Sequence, residues 1–450
     1  MKKRVALVVN TLSGGGAEKT VSNLSLHLGG KYLIDLIVND DRHLVYPRAG
    51  KVYTLKMPPG RDRMGTAYQL KAFVRRVRLL RSLKRRKGYE AVISFSEMAN
   101  LANVVSGSGR GGNKPGGKKA FSGPEKSCGG KTVISFHNSV RTRASAGWKF
   151  RLMTEIMFPY MVRKADLTVS CSREIADELE LHCGLRPEKS RVIYNGLDLD
   201  RIRERTSEPF TDEEERNCFP ENEEKLLVTV GRLTEQKGQW HLLRAMRILR
   251  DEGIRVRLVV LGEGELRRFL EELTGNLGLA DCVSFAGHVE NPYKYLARAD
   301  AAVFPSMYEG FSCAIIEALA CGVPCVSTDH STGAREILAP DSDYRCKVND
   351  RAEYADYGVL VPVCCGGTGM IDQPFTAEER ILAEAVGRVL TESELAEVYR
   401  TAGTARAQQL SIGRICSQWE SLIENRADGV HMERAETPEK SFHEHSGSQL

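Results

Sequence analysis

Two series of short apolar runs, each alternating with longer segments of helical periodicity, constrain the fold of this chain most strongly. The first series is RVALVVN, YLIDLIV, KVYTL, EAVISF, TVISF, LTVSC and RVIYN; the second is KLLVTVG, RVRLVVLG, CVSFAG, AAVFPS, PCVST and GVLVP. Such alternation is typical of βα units around a parallel sheet. With 450 residues available, the sequence predicts two layered α/β domains, each with its own core.

The composition along the chain predicts where these domains begin and end. We expect the first domain at residues 1–200, an acidic linker region at 201–222 and the second domain at 223–390. Helices without strands are expected at 391–426, where they would brace the second domain or cross back to the first. The last stretch, 427–450, is polar and rich in His, Glu and Ser, which predicts disorder.

Charge is distributed very unevenly between the two halves. Residues 1–200 hold 36 Lys and Arg against 17 Asp and Glu, whereas residues 201–450 hold 28 against 42. The basic half should prefer anionic surfaces. A Gly/Lys-rich segment at 105–130 adds to this charge; we predict a mobile loop, either a solvated insertion without a role or a basic loop that touches an anionic acceptor or membrane.

A basic helix is predicted at residues 69–88. Eight Lys and Arg lie between Arg75 and Lys87, and five apolar residues share one face that we expect to pack on the sheet: Leu70, Phe73, Val74, Val77 and Leu80. This pattern favours adsorption to an anionic membrane surface, with a plain solvated helix as the alternative. Nucleic acid is disfavoured because interleaved exposed aromatics and known binding motifs are missing from the sequence.

Other features favour a cytoplasmic location. The chain has no run of about 18 apolar residues, and the apolar run in MKKRVALVVN is too short for a signal peptide and flows into a Gly-rich turn. Its twelve cysteines are scattered, which indicates reduced thiols. Zinc is disfavoured because no second ligand pair lies near Cys321 and Cys325 or near Cys364 and Cys365.

Glycine-rich turns follow several of the predicted strands. In NTLSGGGAEKTVSNL, Gly15 and Gly16 precede a helix whose N-terminus favours an anion, although a bare tight turn explains them equally well. In the second half, Gly262 and Gly264 end a strand in LGEG and would let the backbone run close to a nucleotide; an ordinary turn is the alternative.

The segment GRLTEQKG opens the second domain with two cations. Gly231 and Arg232 end a strand, and Lys237 lies five residues further on, just before a helix. Cations at the carboxyl end of a strand can converge on one diphosphate. A solvated loop that binds no ligand would have much the same sequence, so this alternative stays open.

Carboxylates and a histidine complete the set of candidate site residues. In YEGFSCAIIEALACGVPCV, Glu309 follows a strand, Ser312 is placed to cap the next helix, and Glu317 lies inside that otherwise apolar helix. Both carboxylates would face the crevice in which open α/β sheets bind ligands, where they can accept hydrogen bonds from sugar or ribose hydroxyls. An ion pair with a buried Arg or Lys is the alternative for Glu317. His137 follows the strand TVISF and either faces the same cleft or is structural.

Taken in order and spacing, these segments resemble the family 4 glycosyltransferases. The resemblance covers roughly residues 1–400 and rests on SGGGAEK, VIYNGLD, GRLTEQKG, LGEG, the stretch from FAGHVENP to PCVSTD with its E-x7-E pairing, and GVLVP. It implies the GT-B fold, an α/β architecture of two Rossmann-like domains facing across a cleft that holds the site. STGAREIL is similar to bacterial members that extend lipid-linked or cell-surface glycans.

The resemblance also implies roles for the candidate residues. Arg232 and Lys237 would hold the diphosphate of a nucleotide-sugar donor. Glu309, together with the backbone of Gly310 and Phe311, would contact the donor sugar, and Glu317 the ribose hydroxyls. From the first domain, Gly15 and Gly16 would approach the phosphate or acceptor, and His137 would contact the reacting sugar or acceptor. In the second domain, the donor site would also be lined by Gly231, Gly262, Gly264 and Ser312.

The expected activity is therefore transfer of a hexose or N-acetylhexosamine from a nucleotide diphosphate sugar, with UDP favoured by the family, to a lipid-linked or cell-surface glycan, with retention of configuration. The resemblance also implies that no metal cofactor is needed. The acidic pairs Asp198/Asp200 and Asp341/Asp343 match the pattern of metal-dependent transferases, but they are discounted because the first lies where the two domains join and the second in a polar loop. Ser312 stands where the family often has Gly, and the 105–130 loop is longer than usual, which affects acceptor recognition. We expect a location on the inner face of the membrane.

Alternatives from other classes remain open from the sequence. A sugar-nucleotide epimerase or a sugar-phosphate synthase of the same fold would use the same donor residues. A non-catalytic nucleotide-sugar binding protein would bind the donor without turnover. A nicotinamide oxidoreductase is disfavoured because the chain lacks GxGxxG and an acidic ribose reader about 20 residues beyond it.

Overall fold

The computed structural model of the chain describes residues 2–12, 15–41, 44–54, 66–107, 130–139, 153–219, 224–330, 333–368 and 373–425. Most of the Gly/Lys-rich segment 105–130 and the whole predicted tail 427–450 lie outside the described residues. Two seven-stranded sheets organise the described part of the chain.

Seven parallel strands form the first sheet, in the order β3-β2-β1-β4-β5-β6-β7. They are β1 (Arg4–Val8), β2 (Leu33–Val38), β3 (Lys51–Thr54), β4 (Ala91–Phe95), β5 (Lys131–Phe136), β6 (Leu167–Ser170) and β7 (Ser190–Val192). The connecting helices are α1 (Gly16–Leu28), α2 (Thr66–Lys87), α3 (Glu97–Val105), α4 (Phe158–Lys164) and α5 (Arg173–Cys183). The strands correspond to the seven predicted runs. The central strands, such as β1 and β4, are buried on both faces of the sheet, as their apolar runs predict, whereas the edge strand β3 is only partly buried.

The second sheet has the order β10-β9-β8-β11-β12-β14-β13. Its strands are β8 (Lys225–Val230), β9 (Val256–Leu261), β10 (Val283–Gly287), β11 (Ala301–Phe304), β12 (Cys325–Thr328), β13 (Glu353–Ala355) and β14 (Gly358–Val361). Its helices are α8 (Gln239–Asp251), α9 (Arg267–Asn276), α10 (Pro292–Arg298), α11 (Cys313–Ala320) and α12 (Ala334–Leu338); α6 and α7 lie between the two sheets. The sheet is parallel except at β13, which pairs antiparallel with β14 at the edge. The sequence analysis missed β13, since three residues with a polar start carry little strand pattern.

Two helices, α6 (Leu199–Thr206) and α7 (Asp212–Cys218), occupy the acidic region between the sheets. The carboxylate of Glu214 accepts hydrogen bonds from Lys294 Nζ and the Tyr295 hydroxyl, both at 2.9 Å. The described part of the acidic segment, through residue 219, therefore packs on α10.

Three helices end the described chain: α13 (Ala377–Thr391), α14 (Ser393–Gln409) and α15 (Ile412–Glu424). The last of them returns to the first sheet, where Trp419 packs in one core cluster with Leu7 and Phe95. Of the two expectations for this region, α15 follows the one in which the chain crosses back.

Helix α2 confirms the basic helix but corrects its buried face. Leu70 and Val74 are 64% and 38% exposed, although the sequence analysis placed them against the sheet. Arg76 and Lys84 are buried instead: Arg76 donates to Asn10 Oδ1 at 2.9 Å, and Lys84 Nζ to the carbonyl oxygens of Asn103 and Gly107, both at 2.8 Å. Basic side chains can be buried where their donors are satisfied, and hydropathy alone does not reveal this.

Candidate active site

The turns at the carboxyl ends of β5 and β11 meet between the two domains. A methyl group on Gly310 would lie 1.8 Å from the His137 carbonyl oxygen and 3.2 Å from the Asn138 nitrogen. Any side chain at Gly310 would therefore collide with the opposite backbone. The structure thus brings His137, from the first domain, against the turn that carries Glu309 in the second.

Glu309 lies just past β11 and is held by three side chains. Its carboxylate contacts Lys237 Nζ and accepts from Gln236 Nε2 and Ser306 Oγ, both at 3.2 Å. Burial disfavours its ionised form, but the positive charge of Lys237, a charge contribution from His330 and these hydrogen bonds outweigh burial, so the pKa of Glu309 lies below its usual value. Glu309 is thus an ionised, pre-oriented hydrogen-bond acceptor just beyond the carboxyl end of β11.

Lys237 ends a short 3-10 turn, Glu235–Lys237, and its aliphatic chain lies over Gly231, with Cε 3.1 Å from the position a methyl group would take there. Gly238, which follows with φ +61° and begins α8, packs against the Pro305 carbonyl. This turn aims Lys237 at Glu309. Arg232 is exposed on the same loop, so the cation that the structure brings to Glu309 is Lys237.

Glycines Gly262 and Gly264 keep the β9 loop against the β8 loop. Methyl groups at these positions would lie 1.9 Å from the Gly231 carbonyl oxygen and 2.2 Å from the Leu233 carbonyl oxygen. Gly262 also has a φ of +142°. Both glycines are therefore required by close packing of the loops, which was the alternative interpretation of LGEG; a donor-binding role for them stays a prediction.

Glu317 lies in α11 and is 6% exposed. Its carboxylate contacts Lys19 Nζ, from α1 in the other domain, and Lys19 Nζ also donates to the Tyr293 hydroxyl at 2.7 Å. Burial acts to lower the pKa of Lys19, but the charge of Glu317 and the contacts with Tyr293 raise it above its usual value. The ion pair left open in the sequence analysis is therefore present, and it spans the cleft.

Ser312 stands at the N-cap position of α11, as predicted, but its side chain makes no capping hydrogen bond there. The prediction of a Ser312 cap was wrong in this respect. Ser312 is buried. The sequence therefore identified the residue at which the helix begins, but not the hydrogen bonding of its side chain.

The N-terminus of α1 presents the first glycine-rich turn. The backbone N–H of Gly15 donates to Glu18 Oε2 at 2.9 Å, and a methyl group on Gly16 would meet no atom of the described chain within 4 Å. Packing therefore does not explain a glycine at position 16. An open backbone at a helix N-terminus suits the approach of an anion.

His137 is partly buried, and Ser135 Oγ lies 2.9 Å from its Nε2. Burial lowers the pKa of His137 to about 4, with a hydrogen bond to Asn195 opposing the shift. The imidazole is therefore neutral near pH 7 and can offer a donor on one nitrogen and an acceptor on the other.

Sequence reasoning missed several residues that the fold brings to this site. Lys19 contacts Glu317 and also donates to Tyr293, Asn195 hydrogen-bonds His137, and Tyr194 stacks on Phe311 with ring centroids 4.9 Å apart. Lys19 lay in the quoted segment GGGAEK, one helical turn beyond Gly16, so its spacing was an available signal. Tyr293, Tyr194 and Asn195 join the site through contacts between distant parts of the chain, which no local pattern reveals.

In both domains the site-forming turns lie at the carboxyl ends of parallel strands, and the two sets face each other. Solved structures with this architecture include the Anabaena protein HepE in complex with UDP and glucose, with a TM-score of 0.65, 17% identity and coverage of 94% of this chain and 99% of that one. A sucrose-phosphate synthase from Thermosynechococcus elongatus matches with a TM-score of 0.67 and 18% identity over 94% and 99% of the two chains. The protein is thus of the GT-B class, with two Rossmann-like domains.

Family models and relatives narrow this class. The model of Glycosyltransferase Family 4 matches residues 14–201, and that of Glycosyl transferases group 1 matches residues 211–358. An uncharacterized glycosyltransferase of Methanocaldococcus jannaschii is 31% identical over 291 residues, which cover 63% of this chain and 70% of the relative. The chain belongs to family 4 of the glycosyltransferases, and it is a glycosyltransferase enzyme.

A second relative has a more specific name. It is the N-acetylgalactosamine-N,N'-diacetylbacillosaminyl-diphospho-undecaprenol 4-alpha-N-acetylgalactosaminyltransferase of Campylobacter jejuni, 29% identical over 257 residues. The match covers 57% of this chain and 60% of that relative.

Proposed function

We propose that the protein transfers a hexose or N-acetylhexosamine from a nucleotide diphosphate sugar, with UDP as the favoured nucleotide, to a lipid-linked or cell-surface glycan, with retention of configuration. The observation that carries the proposal is the contact between Glu309 and Lys237 at the carboxyl end of β11, beside Gly310, which packs on the His137 backbone of the first domain. A fixed, ionised carboxylate beside a cation suits a ligand that has sugar hydroxyls next to a diphosphate.

Each candidate residue then has a task in the transfer. Lys237 and Arg232 offset the negative charge that grows on the leaving nucleotide diphosphate. For Lys237, the less exposed of the two, a contribution of about 3 to 4 kcal/mol is typical of one well-placed donor in a site shielded from water. Glu309 accepts hydrogen bonds from the donor sugar, and Glu317 from the ribose. His137, being neutral, hydrogen-bonds the reacting sugar or acceptor without adding charge.

Metal-independent chemistry is part of the proposal. Its basis is that the cations Arg232 and Lys237, together with the open backbone at Gly16 at the α1 N-terminus, can perform the charge stabilisation that a divalent ion provides in other transferases. Comparing turnover in buffer containing a chelator with turnover in added magnesium tests this point.

A lipid-linked acceptor is supported by the name of the Campylobacter relative, which acts on a diphospho-undecaprenol carrier. It is also supported by the exposed face of α2. Leu70 and Val74 are exposed one turn apart, and the exposed Arg78, Arg81 and Arg85 continue the same stripe at helical spacing. Apolar side chains rimmed by cations suit a membrane interface with anionic headgroups. We therefore place the enzyme at the inner membrane surface, in contact with its acceptor. No helix among the described residues is long and apolar enough to cross a membrane.

A two-stage experiment tests the proposed function. A panel of nucleotide sugars is first screened for a rise in melting temperature, since a ligand that binds only the folded state stabilises it. Donors that stabilise the protein are then supplied, radiolabelled, with polyprenyl-diphosphate-linked acceptors, and the products and their anomeric configuration are analysed. Labelled lipid with retained configuration supports the proposal. An epimerised donor or a free sugar phosphate as the product would replace it with one of the alternative enzymes of this fold.

A further inference from the structure

A carboxylate of the second domain occupies the start of a helix in the first domain. Glu336, in α12, is 3% exposed. Its two oxygens accept the backbone N–H of Arg173 at 2.9 and 2.8 Å, and Oε1 also accepts the N–H of Glu174 at 3.4 Å. These are the first residues of α5, whose free N–H groups and positive dipole end favour a negative charge.

Helix α5 does not need this carboxylate in order to begin. Ser172 is its N-cap residue, and the Ser172 hydroxyl accepts the Ile175 N–H at 3.3 Å. Glu336 therefore supplements a helix that already has its own cap. What the contact adds is a tie between the two domains.

The same carboxylate reaches the donor turn through one intermediate. Glu336 Oε2 accepts the hydroxyl of Tyr194 at 2.9 Å, and the Tyr194 ring stacks on Phe311 with ring centroids 4.9 Å apart and an angle of 11° between the planes. Phe311 is two residues from Glu309. Gly333, just before α12, has a φ of +92°, and a methyl group there would lie 2.9 Å from Phe311 Cα. The segment that carries Glu336 thus supports the donor turn from two sides.

We propose that Glu336 is a positioning residue for sugar transfer: it fastens the two domains at the start of α5 and, through Tyr194, fixes the Phe311 turn that presents Glu309. It touches no reacting atom. This inference rests on the proposed role of the Glu309 turn in donor binding.

The expected kinetic signature separates positioning from donor binding. Lys237 and Glu317, the proposed contacts of the diphosphate and the ribose, both belong to the second domain, so UDP can meet them whether or not Glu336 holds the first domain. Loss of Glu336 should therefore lower kcat, which needs the assembled site and a fixed Glu309 turn, and leave the dissociation constant of UDP, which lacks the sugar that Glu309 would contact, nearly unchanged.

The test compares Glu336→Gln and Tyr194→Phe with Asp177→Asn. Asp177 is the matched control, because it also joins the domains, by accepting from Tyr344 and Arg345 at 2.6 and 2.7 Å, but these two hydrogen bonds do not lead to the donor turn. For Glu336→Gln we expect kcat to fall roughly 10- to 100-fold, the range for losing a charge-assisted hydrogen bond, with UDP affinity by calorimetry within about threefold. For Tyr194→Phe, which keeps the aromatic ring, we expect a smaller fall in kcat, roughly 3- to 10-fold.

A Glu336→Gln kcat within about threefold of the wild type would overturn the inference. So would an equal loss in Asp177→Asn, which would show that any contact between the domains has the same effect. Small-angle scattering provides a readout that needs no donor: Glu336→Gln should have a larger radius of gyration than the wild type, and an unchanged radius would contradict the fastening role. If the wild-type protein transfers no sugar, the proposed function fails, while the scattering result still decides the role of Glu336.

Discussion

Lys19, on the first domain, and Glu317, on the second, form an ion pair across the cleft, and the Tyr293 hydroxyl accepts from the same ammonium at 2.7 Å. Glu317 is the side chain expected to accept the ribose hydroxyls of the donor. Its carboxylate is therefore shared between a domain contact and the proposed donor site. A donor that reaches Glu317 must share the carboxylate with Lys19 or displace it.

A double-mutant cycle on Lys19→Met and Glu317→Gln measures this pair. Because the Glu317 side chain is 7% exposed and that of Lys19 is 21% exposed, removing one partner strands a poorly solvated charge in the other. Each single variant should lower the free energy of unfolding measured in denaturant. The double variant should lose less stability than the two single losses added together, and the difference, the coupling energy of the pair, should be about 1 to 3 kcal/mol. The same cycle on Lys225→Met and Asp300→Asn serves as the control. These two side chains form a more exposed pair at 3.2 Å, and their coupling energy should be less than about 1 kcal/mol. Additive losses at Lys19 and Glu317 would contradict the pairing.

Replacing Gly310 by Ala should destabilise the protein and abolish transfer. The added methyl group would overlap the His137 carbonyl at 1.8 Å, so the two domains could not keep their present contact. Gly413→Ala is the matched control, because a methyl group there meets nothing within 4 Å in helix α15 and Ala is the better helix former. Melting curves and transfer assays on both variants check this. A Gly310→Ala protein with wild-type stability and turnover would show that the domains do not meet at this turn.

Stability should fall as the pH is lowered from about 6.5 to 4, in part because of His137. Its pKa is about 4 in the folded protein and about 6.5 in the unfolded chain. Within that window the unfolded chain binds a proton that the folded protein does not, which favours unfolding by about 2 to 3 kcal/mol at the acid end; below pH 4 this contribution levels off.

The His137→Gln variant isolates this effect, because glutamine does not titrate. Its free energy of unfolding, measured by denaturant titration at several pH values, should fall less steeply between pH 6.5 and 4 than that of the wild type. Parallel curves would mean that His137 keeps an ordinary pKa in the folded state.

The exposed stripe on α2 predicts binding to anionic vesicles. Leu70→Ser with Val74→Ser removes its apolar part, and each exposed arginine near the surface should add about 1 kcal/mol of binding. We expect the double variant to sediment less with vesicles of phosphatidylcholine and phosphatidylglycerol, and the wild type to release them at about 1 M salt, where charges are screened within a few ångströms. Leu181→Ser is the control, since Leu181 is 78% exposed on α5. Equal loss of binding in the control would assign the effect to general surface hydrophobicity.

The fold followed from local pattern, and the details of the site did not. Parallel strands that are buried on both faces are mostly apolar, so runs such as RVALVVN and RVRLVVLG identified β1 and β9 directly. The edge strand β13, whose three residues are partly buried, has no such run. On α2 the pattern misled, because Arg76 and Lys84 are buried by hydrogen bonds to Asn10 and to backbone carbonyls, which the spacing of apolar residues cannot show.

The candidate residues were selected because strand ends and glycine-rich turns mark the edge of a sheet where ligands bind, and their roles stay predictions. Their partners were not found. The contacts of Glu317 with Lys19 and of Glu336 with Arg173 join residues 298 and 163 positions apart, and only the docking of two domains brings them together. The sequence also left open whether Gly262 serves a ligand or the neighbouring loop, since both require the same absence of a side chain.

The most direct test of the account is the rate of sugar transfer by Glu309→Gln and Lys237→Met, measured with radiolabelled nucleotide sugar and a polyprenyl-diphosphate-linked acceptor, beside the surface variant Glu271→Gln. Unfolding curves on the same samples give the folded fraction. The account predicts a loss of at least about 100-fold per folded molecule in both site variants and an unchanged rate in Glu271→Gln. Wild-type rates in either folded site variant would contradict the placement of the donor site at Glu309 and Lys237.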